Sequence, residues 1–308
     1  MLRRSALILL AVLLAGIAPA QAAPVFPPGL RVGLEPAADL KVSSRVHGFD
    51  DIDRHVHVGI LSLPATAYEK MRATLAKERP GVSGPKSESF AFAGGSGFLV
   101  SGSTQDKGVA VHRWFLLAPP AANGAPGLAT LIRVEVPEAA RATYTDEAVR
   151  KMLASVTFRK VPESELLGLL PFKLTDMAGF RVAKVAPGSV VVTEGPSDDV
   201  ARQPYVIVSI GRGAPSSDDR GRFARDLLSS APVRDLTVTS AEPMRINGLP
   251  GYEIRAKAEN QQGQPIKLVQ WLRFGSAGFL GIVAVAPGDN WDALFNRFRA
   301  LRDGVDAR

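Results

Sequence analysis

The chain has 308 residues, of which 46% are apolar, and its 37 Lys and Arg against 30 Asp and Glu give a net charge of +7. It has no cysteine, which excludes disulfides, thiolate nucleophiles, Cys-ligated metal sites and a lipid anchor on cysteine. The basic residues form neither blocks nor an aromatic-interleaved stripe, so nucleic acid is not an expected partner.

The first 22 residues have the pattern of an export signal. Arg3 and Arg4 precede an uncharged apolar run at 6–18, and residues 20–22 read Ala-Gln-Ala, the small-x-small pattern of a cleavage site. The apolar run is shorter than the roughly 20 residues that cross a bilayer. We therefore predict cleavage after Ala22, a periplasmic or secreted protein, and no transmembrane segment after signal removal.

The rest of the chain shows the same order of predicted elements twice. In each half, a segment with glycine and aspartate leads into an apolar strand, then come a helical stretch and two further strands, the second containing tryptophan. An alternating strand that ends in proline and an amphipathic helix complete each half. The matched segments are 48–51 and 195–199, 56–60 and 206–210, 65–77 and 218–229, 97–100 and 251–254, 111–115 and 268–272, and 128–137 and 279–287.

The nearly constant offset between these segments predicts a duplication. We place repeat 1 at 27–160 and repeat 2 at 165–306, with a linker between Lys160 and Pro171 and surface loops at 78–86 and 118–127. Thr145 and Asp289 or Asn290 are the expected N-caps of the last helices. The second of these helices has one apolar stripe, formed by Trp291, Leu294, Phe295, Phe298 and Leu301.

Strands joined by short polar turns predict the α+β class, with a mostly antiparallel sheet and helices on one face in each repeat. Gly48-Phe49-Asp50-Asp51 before a strand, then Gly97-Phe98-Leu99-Val100 and Val111-His112-Arg113-Trp114, resembles the Mog1/PsbP-like α/β/α sandwich. The resemblance extends over both halves. It implies a binding or assembly module rather than an enzyme, and it transfers no functional residue to this chain.

His55 and His57 are predicted to alternate on one strand and to share a face, with Asp53 or Asp51 just before them. Nitrogen and oxygen ligands in this arrangement could bind a metal. A solvent-facing strand edge, with Val56 and its alternate neighbours pointing inward, explains the same residues without metal. Metal or small-ligand binding through repeat 1 is therefore one alternative function.

The other candidate sites are weaker. His112 shares a face with Trp114, which indicates either core packing or a hydrolase with an unrecognised serine. The aspartate pairs at 50–51, 198–199 and 218–219 could bind Ca²⁺ or act as acid and base, but each precedes a regular element and favours capping or turn formation. The glycine-rich segments at 94–97 and 211–213 complete no nucleophile or phosphate motif and favour turns before strands.

No cofactor motif is present, and all four histidines lie between positions 47 and 112. Arg297, Arg299 and Arg302 lie close together on a predicted helix, which indicates a solvated face or weak contact with an anionic surface. The leading expectation is an exported, non-catalytic module that binds a protein partner in the cell envelope.

Overall fold

The computed structural model describes residues 23–77, 83–120, 127–197, 200, 203–213 and 215–307. The chain divides into two compact units, and the division falls between Val161 and Pro162. Residues 1–22 lie outside the described residues, so the export signal stays a prediction. None of the helices in the described ranges is long and apolar enough to cross a membrane.

The described part of unit 1 combines strands with two α-helices. Its strands are β1 (Val32–Gly33), β2 (Lys41–Val42), β3 (Gly48–Asp51), β4 (Val56–Pro64), β5 (Ser83–Phe92), β6 (Gly95–Asp106), β7 (Val109–Ala118), β8 (Leu128–Pro137) and β9 (Thr157–Phe158). Its helices are α1 (Tyr68–Ala76) and α2 (Asp146–Ala154). Single 3₁₀ turns occupy Ala65–Ala67 and Glu138–Ala140.

Seven strands of unit 1 form one antiparallel sheet in the order β2-β3-β4-β8-β7-β6-β5. Alternation along the strands gives this sheet two different faces. On β8, Ile132 and Val134 are fully buried, whereas Arg133 and Glu135 point to the opposite side. Strand β5 begins at Ser83, so the loop predicted for 78–86 is wrong over its last residues, while 78–82 lie outside the described residues.

Helices cover both faces of the unit 1 sheet. On the inner face, α2 packs Val149, Met152 and Leu153 against the strands, and the Thr145 side chain accepts from the Ala148 amide at 3.2 Å, which confirms the predicted N-cap. On the outer face, α1 buries Leu75 beside β6 and β7. The prediction of helices on one face is therefore wrong, because apolar positions occur on both sides of the central strands.

Unit 2 has the same kinds of elements. Its helices are α3 (Glu163–Gly168), α4 (Arg220–Ser229) and α5 (Trp291–Asp303), with 3₁₀ turns at Ser217–Asp219 and Gly288–Asn290. Its strands are β10 (Phe172–Leu174), β11 (Arg181–Ala186), β12 (Ser189–Thr193), β13 (Tyr205–Arg212), β14 (Arg234–Ile246), β15 (Leu249–Glu259), β16 (Pro265–Phe274), β17 (Gly278–Pro287) and β18 (Val305–Ala307).

The sheet of unit 2 is antiparallel in the order β11-β12-β13-β17-β16-β15-β14. Its inner face packs on α5, whose predicted stripe is buried except for the partly buried Phe295. Its outer face packs on α4 through Ala224 and Leu228. The sequence placed the linker where α3 lies, and Leu167 of α3 packs against the inner core. Asn290 occupies the N-cap position of α5 without a side-chain hydrogen bond.

A short strand pair closes each unit. In unit 1, β1 pairs with β9, and Val32 lies opposite Phe158. In unit 2, β10 pairs with β18, and Phe172 lies opposite Ala307. The first and last strands of each unit therefore lie side by side.

Candidate functional site

The predicted metal ligands occupy two different local structures. Asp53 and His55 lie in the turn between β3 and β4, whereas His57 lies on β4. His55 has a φ of 54°, and its amide donates to the Ile52 carbonyl at 3.3 Å. The strand begins only at Val56, so His55 does not alternate with His57 along one strand as the sequence predicts.

The inward positions of β4 are those that the sequence predicts: Val56, Val58 and Ile60 are all buried. In the described part of the chain, no three His, Asp or Glu side chains form a group that could hold a metal ion. Metal binding by Asp53, His55 and His57 stays a prediction.

His57 belongs instead to a row of polar side chains that crosses the outer face of unit 1. The cross-strand register places Lys41 opposite Asp50, Asp50 opposite His57, His57 opposite Glu135, and Glu135 opposite Arg113. Residues directly opposite each other in antiparallel strands project to the same face, with Cβ atoms about 4.5–5.5 Å apart. This charged row (Lys41, Asp50, His57, Glu135 and Arg113) alternates basic and acidic groups over five neighbouring strands.

Ion pairs hold one end of the charged row. Arg113 Nε donates to Glu135 Oε1 at 2.6 Å, and its Nη2 donates to Asp106 Oδ2 at 2.6 Å. Arg133, on the same face of β8, lies 3.0 Å from the other Glu135 oxygen. The Arg133 side chain remains 54% exposed, so this end of the row presents positive charge to solvent.

Asp50 anchors the other end of the charged row. Its Oδ2 accepts from Ser43 Oγ at 2.6 Å and from Arg45 Nη2 at 3.0 Å. The Ser43 hydrogen bond lowers the pKa of Asp50, burial opposes this effect, and Arg45 and His57 lower the pKa further. The net result is a pKa below the ordinary value, so Asp50 is ionised at neutral pH.

Asp51 points to the opposite face of the sheet, so residues 50–51 do not form a paired carboxylate site. Its Oδ2 accepts from the Tyr144 hydroxyl at 2.8 Å, and its Oδ1 accepts from the Arg54 amide at 3.1 Å. Burial raises the pKa of Asp51, but the bonds from Tyr144 and Arg54 outweigh burial and leave that pKa below its ordinary value. Burial, followed by the same contact with Asp51, raises the pKa of Tyr144.

His112 and Trp114 share the inner face, as the sequence predicts, with ring centroids 4.2 Å apart. Ser103 Oγ lies 2.8 Å from His112 Nδ1. Burial and the positive charge of Arg141 hold the pKa of His112 below its ordinary value. Serine and a neutral imidazole in hydrogen-bond contact are two parts of a nucleophilic site.

The carboxylate that would complete such a site, that of Asp146, accepts hydrogen bonds from other side chains. Asp146, at the start of α2, accepts from Trp114 Nε1 at 2.9 Å and from Arg150 Nε at 2.6 Å. Among the described residues it makes no hydrogen bond to His112, so no carboxylate orients the imidazole. Unit 2 repeats the tryptophan anchor without a histidine, since Trp271 Nε1 donates to Glu253 Oε2 at 2.6 Å. Anchoring of a buried indole is thus common to both units.

The remaining predicted motifs are parts of turns and caps. Gly94 lies in the turn between β5 and β6 and residues 95–97 begin β6, whereas residues 211–212 end β13 and Gly213 follows that strand. Asp218 and Asp219 lie in the 3₁₀ turn before α4, where Asp219 accepts from Ser216 Oγ at 2.7 Å. The pair at 198–199 lies outside the described residues.

The three arginines on α5 do not form one basic face. Arg302 is buried and lies over the Trp271 ring at 5.1 Å. Arg297 pairs with Glu194, and of the three only Arg299 is exposed. Contact of this helix with an anionic surface stays a prediction.

Comparison with known proteins gives only distant similarities. No family model and no curated protein match the sequence. The chain is similar to cyanobacterial PsbP from Synechocystis sp. PCC 6803, with 15% identity over 45% of this chain and 87% of that one, at a TM-score of 0.32. It is also similar to immunity protein TplEi of T6SS from Pseudomonas aeruginosa, with 14% identity over 92% and 96% of the two chains, at a TM-score of 0.30.

A third similarity is to a chain in the Tle4–Tli4 complex, with 12% identity over 92% of this chain and 97% of that one, at a TM-score of 0.30. With TM-scores this low, none of these similarities carries an argument about function. The candidate sites therefore depend on the geometry of this chain alone.

Proposed function

We propose that this protein is an exported, non-catalytic binding module and that it contacts another protein of the cell envelope through the charged row of unit 1. The observation that carries the proposal is the alternation of acidic and basic groups across five strands of one sheet face. A protein surface of complementary charge would be recognised by such a row, because charge complementarity sets register and accelerates encounter.

The ion pairs along the row support this role. Arg113 is held by Glu135 and Asp106, so this end of the row is preorganised before any partner binds. Preorganised side chains lose less conformational entropy on binding. Arg133 lies beside these pairs and its side chain is 54% exposed, which makes its charge accessible to a partner.

The test is crosslinking of the tagged full chain in its native envelope, followed by mass spectrometry. We expect one dominant partner with wild type and at least a fivefold reduction in its capture with Arg133→Glu. Arg222→Glu is the matched control, because the Arg222 side chain is 74% exposed and belongs to unit 2, outside the set of residues that forms the row. Equal capture by the two variants, or no reproducible partner with wild type, would refute the proposal.

A hydrolase is the second candidate, and the Ser103–His112 contact is the observation that favours it. A neutral His112 can act as a general base toward the serine hydroxyl. Short-chain ester hydrolysis by the purified full chain tests this candidate. Turnover that disappears in both Ser103→Ala and His112→Ala would replace the non-catalytic proposal, whereas no turnover with wild type would remove this candidate.

A further inference from the structure

The outer face of unit 2 differs in chemistry from the matched face of unit 1. Arg113 precedes the buried Trp114, and Gln270 precedes the buried Trp271 in the same way. The register places Gln270 opposite Val283 and Val283 opposite Ile207. Uncharged groups therefore occupy the positions that hold Arg113, Glu135 and His57 in the charged row.

An apolar groove lies over these positions. Its floor is made by alternate residues of β13, β17 and β16, and its wall is the C-terminal end of α4 with the segment that follows it. The cavity has a volume of about 450 Å³, and every residue that lines it in the described chain is uncharged. This volume lies within the roughly 300–1,000 Å³ of small-molecule sites in proteins.

Small residues give the groove its depth. Gly281 lies opposite Ser209 on the floor, so neither strand fills the space above the sheet there. The Phe279 ring closes one end, because it lies against Gly211, where a Cβ would come within 2.2 Å of the ring. Leu227, on the α4 wall, is 38% exposed and contributes an apolar rim.

The other end of the groove contains a polar side chain, Tyr205. Tyr205 lines both the groove and an adjoining cavity of about 510 Å³. Burial raises the pKa of Tyr205, and its hydroxyl has no hydrogen-bond partner among the described residues. The adjoining cavity is rich in carboxamides, including Gln203 and Gln262. A ligand can therefore place an apolar body in the groove and a neutral polar group beside Tyr205.

We propose that this groove binds a small, uncharged, largely apolar molecule whose one hydrogen-bonding group meets the Tyr205 hydroxyl. Uncharged walls disfavour an ionic ligand, because a desolvated charge would find no counter-charge in the groove. The volume favours a small molecule, since it lies within the range of small-molecule sites in proteins. The site is separate from the charged row, so each proposal can fail without the other.

The first experiment is titration of the full chain with N-phenyl-1-naphthylamine, an uncharged fluorescent probe with one N–H group. We expect saturable binding by wild type and at least a tenfold loss of affinity in Gly281→Leu. A Cβ at Gly281 meets Phe279, Leu272 and Ser209 at 3.5–3.6 Å, which is ordinary contact, so a larger side chain projects into the groove. Gly59→Leu is the matched control, because a Cβ at Gly59 on the unit 1 sheet meets nothing within 4 Å.

A second pair of variants tests binding in the groove even if Gly281→Leu does not fold. Circular dichroism shows whether Gly281→Leu is folded. Leu227→Glu places a charge on the groove rim, whereas Val238→Glu places one at a position of similar exposure (43%) that does not line the groove. We expect only Leu227→Glu to lower the affinity for the probe, by at least fivefold. Absence of saturable binding by wild type, or equal affinities of Leu227→Glu and Val238→Glu, would overturn the proposal.

Discussion

Tyr144 and Asp51 form a buried polar pair within the core of unit 1. Tyr144 is fully buried and Asp51 is 4% exposed, and the two residues are 93 positions apart in sequence. A carboxylate at such a site is tolerated because donors from Tyr144 and Arg54 replace the water that it loses. The contact connects the β3 end to the start of α2.

Removal of the Tyr144 hydroxyl tests this contact. We expect Tyr144→Phe to lower the free energy of unfolding by about 1–3 kcal/mol at pH 7, because a buried acceptor loses a donor. Urea unfolding of the full chain measures the change. Tyr252→Phe is the control, with little expected effect, because the Tyr252 hydroxyl makes only a 3.5 Å contact with the Ala241 carbonyl.

The same variant has a defined pH dependence. The folded-state pKa of Asp51 lies below its ordinary value, so its ionised form stabilises the fold above that ordinary value, about 3.9, and this stabilisation is lost as the pH falls through the folded-state pKa. Loss of the Tyr144 donor raises that folded-state pKa. We therefore expect the stability difference between wild type and Tyr144→Phe to narrow on going from pH 7 to pH 3, and an unchanged difference would contradict this account.

The metal prediction is also tested at the residue scale. It requires one Zn²⁺ per chain, bound by wild type and lost in the His55→Ala/His57→Ala double variant, as measured by calorimetric titration. His112→Ala is the control, because His112 lies on another strand and contacts Ser103. Absence of binding by wild type, or binding that the double variant retains, removes the metal site.

Sequence patterns predict buried alternation better than they predict which side chains meet. The inward positions on β4 follow from alternation alone, since it depends on neighbours in the chain. The charged row depends on the pairing of β4 with β8, in which His57 lies opposite Glu135, 135 − 57 = 78 residues later. It also depends on the register of that pairing, because a shift by one residue would turn these side chains to the other face. Tyr144 was missed for the same reason, because no local spacing links it to Asp51.

At the scale of elements, β3 and β4 approach so closely that one side of the pair needs glycine. Gly48 has a φ of 148°, and a Cβ there would lie 1.9 Å from the Val58 carbonyl oxygen. Its cross-strand partner Gly59 has open space around the same position. The same substitution is therefore expected to have different effects at the two glycines.

We expect Gly48→Ala to destabilise unit 1 by roughly 2 kcal/mol or more, because the backbone must move and adopt a conformation that an L side chain rarely takes. Gly59→Ala is expected to stay within about 0.5 kcal/mol of wild type, as surface substitutions usually do. Thermal unfolding followed by circular dichroism compares the two. Equal losses in the two variants would mean that the close approach at Gly48 is not needed.

Edge strands are the elements that sequence patterns predict least well. Strand β5 begins inside the segment 78–86, which is predicted as a loop because it is rich in proline and glycine, and its exposed residues, such as Ser87 and Glu88, show no apolar alternation. Strand β14 is also mostly exposed, and it was not predicted for the same reason. The central strands were predicted because both of their faces are covered, and the α+β class follows from them. Membership of the Mog1/PsbP-like family stays a prediction.

At the scale of the whole molecule, each unit has its own core. Residues around Trp114 pack within unit 1, and residues around Trp271 pack within unit 2. We expect residues 23–161 and 162–308 to fold when they are expressed separately, because a domain with its own core can fold alone. Cooperative urea unfolding of each fragment is the measurement, and a fragment that shows no unfolding transition contradicts the prediction.

The predicted export signal determines the expected N-terminus of the mature chain. A cleaved signal leaves Ala23 as the first residue, since cleavage is expected after Ala22. Intact-mass measurement of protein recovered from the periplasm or the medium, with Ala20→Arg as a cleavage-blocked variant, tests this prediction. A full-length mass for wild type, or recovery only from the cytoplasm, would contradict it.

The short strand pairs that close the units have a consequence for how such a chain can be lengthened or shortened. Since β1 pairs with β9 and β10 pairs with β18, the polypeptide enters and leaves each unit at neighbouring points. A unit with adjacent ends can be excised, inserted into another protein's loop, or circularly permuted with little strain on its host. Each unit thus brings the two ends of its own chain segment together, which is the geometry that such rearrangements need.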